Sequence, residues 1–124
     1  MTRKKVFISF EYESDRALKD LLIGQSRNDG SPFEVIDGSL KEAAPENNWE
    51  EKAEGRIKIV DIVIVLVGAT THKAPGVKKE IAIARRLKIR IVQIIGYKDG
   101  KHKRVPNAGR LYHWTWDNLQ KILR

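Results

Sequence analysis

The sequence predicts an α/β domain, a flavodoxin-like three-layer sandwich around a five-stranded parallel sheet of order 2-1-3-4-5. Three observations carry that expectation. Short apolar, β-branched runs alternate with segments whose apolar residues recur every three or four positions, the pattern of β-α-β units joined by right-handed crossovers. The run Asp61-Ile-Val-Ile-Val-Leu-Val67 is unbroken rather than alternating, as in a central strand covered on both faces. The chain has 124 residues, one domain of ordinary size, so residues 1–124 are expected to form a single unit.

Each element has its own warrant. Val6-Phe-Ile-Ser-Phe10 is apolar and β-branched and reads as a buried first strand. Ser14 or Asp15 is placed to cap the helix after it, in which Leu18, Leu21 and Leu22 share a face. That helix should stop near Gln25, before the turn-rich stretch Asn28-Asp-Gly-Ser-Pro32. Phe33-Glu-Val-Ile-Asp37 is a second strand, closed by Gly38-Ser39, and residues 40–47 read as loop. Trp49, Ala53, Ile57 and Val60 mark a second helix. After the central strand, residues 68–76 form a polar loop. A helix over 77–87 follows, with Val77, Ile81 and Ala84 inward and Lys78, Lys79, Arg85 and Arg86 outward. Residues 89–95 are a fourth strand closed by Gly96, and the basic, turn-rich segment 97–110 leads to a short edge strand over 111–115. A last helix over 117–123 places Trp116, Leu119 and Leu123 on one face.

Composition narrows the chemistry. There is no cysteine, which excludes disulfides, thiolate metal sites and a cysteine nucleophile. No run approaches the roughly 18 apolar residues of a membrane span, and no signal-peptide core precedes the first strand, so a cytoplasmic protein without a membrane partner is expected. The net charge of +8 is unevenly distributed. Residues 1–60 hold 10 basic and 12 acidic side chains, whereas residues 61–124 hold 14 and 4. Such polarity suits an anionic partner or simply a basic, well-solvated surface.

Sheets of this order bind ligands beyond the carboxyl ends of their strands, at the switch point beside strands 1 and 3. That rule selects the loops 9–15, 37–48 and 68–76. Glu11-Tyr-Glu-Ser-Asp15 has no glycine to bring backbone against a pyrophosphate, so it is not a dinucleotide loop. Strand 3 ends in Val67-Gly-Ala69, with no aspartate to accept a phosphoryl group as in a receiver domain. His72, His102 and His113 are scattered, and no metal site is expected. No Gly-x-Ser-x-Gly turn is present for a serine triad. The basic loop lacks interleaved aromatic residues, and nucleic-acid binding is not expected.

What remains is Glu80, the only acid between Asp61 and Asp99. The residues alone leave two roles open for it: a carboxylate favoured by the dipole of a helix N-terminus, or a functional group.

At these positions the chain resembles the TIR-like domains. Val6-Phe-Ile-Ser-Phe10 is similar to their first strand box, and Asp61-Ile-Val-Ile-Val-Leu-Val-Gly-Ala-Thr-Thr71 to the third strand and loop of the short prokaryotic members. Glu80-Ile-Ala-Ile-Ala84 resembles their following helix, and strand 4 matches as well. The Thoeris anti-phage defence proteins of the ThsB group are the nearest subgroup, and the likeness spans about residues 4–97. Related helices usually carry an aromatic residue shortly before the glutamate, where this chain has Ala74-Pro-Gly-Val77.

The resemblance implies cleavage of the nicotinamide–ribose bond of NAD+, with nicotinamide released and a cyclic ADP-ribose-type product in some members. NAD+ is then a substrate, and no cofactor is expected. By position Glu80 matches the catalytic glutamate. Phe10 and Tyr12 would stack on a ring, and Asp37, Ser39, Thr70 and Thr71 would bond ribose or phosphate. Each has a plainer role: Phe10 as core, Asp37 as a turn residue, the threonines as partners of loop backbone. The alternative is a non-catalytic module acting through self-association or through another TIR or effector protein.

Overall fold

The computed structural model describes residues 3–36, 49–96 and 102–123. Its strands are β1 (Lys4–Ser9), β2 (Phe33–Val35), β3 (Ile62–Val67), β4 (Arg90–Ile95) and β5 (Arg110–His113). They form one sheet of order β2-β1-β3-β4-β5 in which every pairing is parallel. The helices are α1 (Tyr12–Ser26), α2 (Trp49–Ile57), α3 (Pro75–Arg86) and α4 (Trp116–Ile122), with a short 3-10 turn at Thr71–Lys73.

The period-2 geometry of the central strand divides the interior in two. Ile62, Ile64 and Leu66 point to one face, where Leu18 and Leu22 of α1 and Leu119 and Ile122 of α4 complete a core with Val6, Ile8 and Phe33. Val63, Val65 and Val67 point to the other, against Ala53 and Ile57 of α2 and Val77, Ile81 and Ala84 of α3. All six residues of β3 are buried, which is why that strand shows no polar alternation. Each such aliphatic side chain contributes roughly 1.5–3 kcal/mol on burial.

Several boundaries differ from the sequence expectation. Helix α1 begins at Tyr12 behind Glu11, without a side-chain cap, rather than behind Ser14 or Asp15. Helix α3 begins at Pro75, because a proline at the first helical position forfeits no hydrogen bond and already holds the right φ. The third-strand loop is not open: it contains the 3-10 turn, with Thr71 fully buried. Helix α4 is capped by Thr115, whose side chain accepts from the Asn118 N–H at 3.0 Å.

Beyond β4 the chain is fastened by Gln93. Its side chain is fully buried on the α3 side of the sheet. Nε2 donates to the Val105 and Gly109 carbonyls at 3.0 and 2.8 Å, and Oε1 accepts from the Val105 N–H at 2.7 Å. Gly109 is required there: its φ is +81, and a Cβ would stand 2.1 Å from the Ile91 carbonyl oxygen.

Candidate functional site

The order of the sheet reverses between β1 and β3, and in sheets of this kind a ligand crevice opens at that point beyond the carboxyl ends of the strands. Ser9 is the last residue of β1, in register with Val65. Strand alternation puts Phe7 and Ser9 on the side of α2 and α3, so the hydroxyl faces α3. Glu80 meets it there. The glutamate is 2% exposed, and Ser9 Oγ donates to its Oε1 at 2.7 Å. A carboxylate in a dry environment needs such donors, because burial removes its water.

Since α3 starts at Pro75, Glu80 stands in the second turn, and no acid occupies the first. The helix-dipole effect fades within one turn, so it does not account for the residue's place. Glu80 is held by a specific partner on β1 instead.

The loops above are cross-tied. The Thr70 hydroxyl donates to Glu11 Oε1 at 2.6 Å, joining the loop after β3 to the start of α1. The Thr71 oxygen accepts from the Gly68 N–H at 2.7 Å and closes the same loop from within. His72 is half-buried, and its Nδ1 is shielded from solvent without a hydrogen-bond partner. Its imidazole titrates below the usual range. Desolvation disfavours the cation first, the ammonium groups of Lys103, Lys73 and Lys78 add to this, and the Glu11 carboxylate pulls the other way.

The expected site residues separate on this geometry. Glu80 lies buried beneath the carboxyl end of β1, and Thr70 lies exposed in the loop after β3. Phe10 does not serve as a stacking platform: it is fully buried with the α1-side core, and Lys19 Nζ lies 5.6 Å from its ring centre. Thr71 is likewise fully buried, and its oxygen is committed to the loop backbone. Tyr12 opens α1, but its side chain lies outside the described residues, as do Asp37 and Ser39. Ser9, Glu11, His72 and Gln93 were not anticipated. Ser9 left a signal, as the one polar residue in the apolar run Val6-Phe-Ile-Ser-Phe10.

Residues 7–101 match the family model described as Thoeris protein ThsB, TIR-like domain. The chain belongs to this TIR-like family. Among solved structures, a prokaryotic SEFIR domain superposes with a TM-score of 0.53 at 20% identity, covering 95% of this chain and 92% of that one. The TIR domains of the activated Roq1 resistosome, which directly recognises the pathogen effector XopQ, give 0.49 at 18% identity. That match covers 74% of this chain, which spans 57% of the Roq1 chain. No curated protein matches the sequence. Among the described residues of this TIR-like chain, no cluster of three or more His, Asp or Glu is arranged to hold a metal ion. No described helix is long and apolar enough to cross a membrane.

Proposed function

We propose that this TIR-like protein acts in prokaryotic anti-phage defence by cleaving NAD+, with Glu80 at the reacting ribose. The observation that carries the reading is the buried Glu80 carboxylate, held by Ser9 at the switch point between β1 and β3. Membership of the Thoeris ThsB family supports the biological setting.

The chemistry suits a carboxylate. Nicotinamide departs from its ribose as a neutral base, taking the bonding electrons, and leaves oxocarbenium character on the sugar. A fixed carboxylate in a dry crevice stabilises that cation and accepts hydrogen bonds from the ribose hydroxyls. Water then adds to the ribose carbon and releases a proton, giving ADP-ribose. Attack by an adenine nitrogen of the same molecule gives a cyclic product instead.

The burial of Glu80 and the Pro75-Gly76 start of α3 favour a second reading, a non-catalytic module in which the Ser9–Glu80 bond ties β1 to α3. One assay separates the two. Purified protein is incubated with NAD+, and free nicotinamide is followed by chromatography. The enzyme reading expects release that falls by a factor of about 100 or more in Glu80→Gln while the folded content stays unchanged. Undiminished release in that variant removes Glu80 from the chemistry. Absence of release from the wild type, alone and at high protein concentration, leaves the module.

A further inference from the structure

The flank of α3 turned away from Glu80 borders a cavity of about 610 Å³, closed on its other side by residues 103–107. At about 3.6 residues per turn, Lys78, Ala82 and Arg85 lie roughly opposite Glu80 on the helix, so the cavity lies on a different flank of α3 from that carboxylate. We propose that this cavity is a binding site for a small organic pyrophosphate of the nucleoside-diphosphate class. The inference does not rest on the reading of Glu80.

Four observations converge on that ligand. The first is charge: Lys78 and Arg85 from the helix and Lys103 and Arg104 from the loop all line the cavity, and among the described residues no carboxylate does. Four cations sharing one concavity repel each other, and an anion is the species that relieves them. The second is shape. A half-open concavity of this size accommodates a nucleotide-sized molecule, whereas a duplex requires an extended basic face. The third is the wall: Ala82 and Pro106 supply exposed apolar surface for the organic part of the ligand, backed by the buried Ile81 and Val105.

The fourth is preparation. Gln93 fixes the loop at Val105 and Gly109, and Arg104 Nη2 donates to the Gly109 carbonyl at 3.2 Å, so the cationic loop is set before any ligand arrives. His72 completes the lining with a desolvated, unpartnered Nδ1 that a phosphate group can satisfy. The cations that depress its titration are Lys73, Lys78 and Lys103, with Glu11 opposed. A bound anion offsets them and moves the titration upward.

The test uses the whole chain and calorimetry at low salt with ADP, inorganic pyrophosphate and adenosine. Saturable binding of ADP is expected, weaker binding of pyrophosphate, and none of adenosine. The exposed pair Lys78→Gln/Lys103→Gln should weaken ADP by about tenfold or more. Lys58→Gln, an exposed cation outside the cavity, should leave it within about twofold, and Glu80→Gln should do the same. In parallel, the His72 imidazole resonance should titrate at higher pH with ADP bound. Failure of both phosphates to saturate by about 10 mM, a Kd corresponding to under about 3 kcal/mol, overturns the site. So does equal weakening by Lys58→Gln, which marks diffuse attraction. Pyrophosphate binding as tightly as ADP overturns the organic part of the assignment, and loss of ADP binding in Glu80→Gln overturns the separation of the two sites.

Discussion

The imidazole of His72 couples the folding of this molecule to pH. Its cation is disfavoured by desolvation and by Lys103, Lys73 and Lys78, so the folded chain binds that proton less readily than the unfolded chain. The unfolded chain, with an ordinary imidazole near pH ~6.5, takes up a proton that the folded chain refuses. Stability contributed by this residue is therefore present above that value and falls as pH drops through it towards the lower folded titration. In urea-unfolding measurements from pH 7.5 to 5.5, His72→Gln should show a shallower loss of stability than the parent. Parallel curves for the two proteins would contradict the assignment. At this scale the sequence was only partly legible. Glu80 stood out by its isolation among basic residues, but the Ser9 hydroxyl that holds it lies 71 positions away, a contact only the folded sheet creates. Phe10 shows the reverse: the sequence leaves it more often core than platform, and packing on the α1 side decides for core.

Among the elements, the described part of the connection from β4 to β5 is fastened by the side chain of Gln93. Gln93 makes three hydrogen bonds to backbone groups of residues 105 and 109, and its own burial is complete. Replacing it with leucine keeps the volume but leaves those backbone groups without partners in a dry site. The expected cost is about 1–3 kcal/mol in chemical unfolding, with faster hydrogen exchange at the Val105 amide. Unchanged protection at that amide would show that the loop is held by something else. Strands and helices were legible because burial on two faces writes a continuous apolar run into β3 and a three-to-four spacing into α3. Their starts were less so. Pro75 opens α3 and Glu11 precedes α1 without a capping bond, so residue preference alone misplaced both boundaries.

At the scale of the molecule, one sheet is shared by two cores, and neither can persist without it. Leu66, fully buried on the α1 side, and Val65 and Val67, fully buried on the α3 side, are neighbours on one strand. Leu66→Ala should cost about 2–5 kcal/mol and should still give coincident transitions by tryptophan fluorescence and far-UV circular dichroism. Separate midpoints would mean that the two layers unfold independently. The rims of the same sheet carry a further consequence. β2 offers three residues and β5 four, so each edge exposes only a brief row of backbone donors and acceptors. Short rims are poor templates for a strand from another chain. Two copies of this domain would therefore find little exposed backbone at either rim through which to run one sheet into the next.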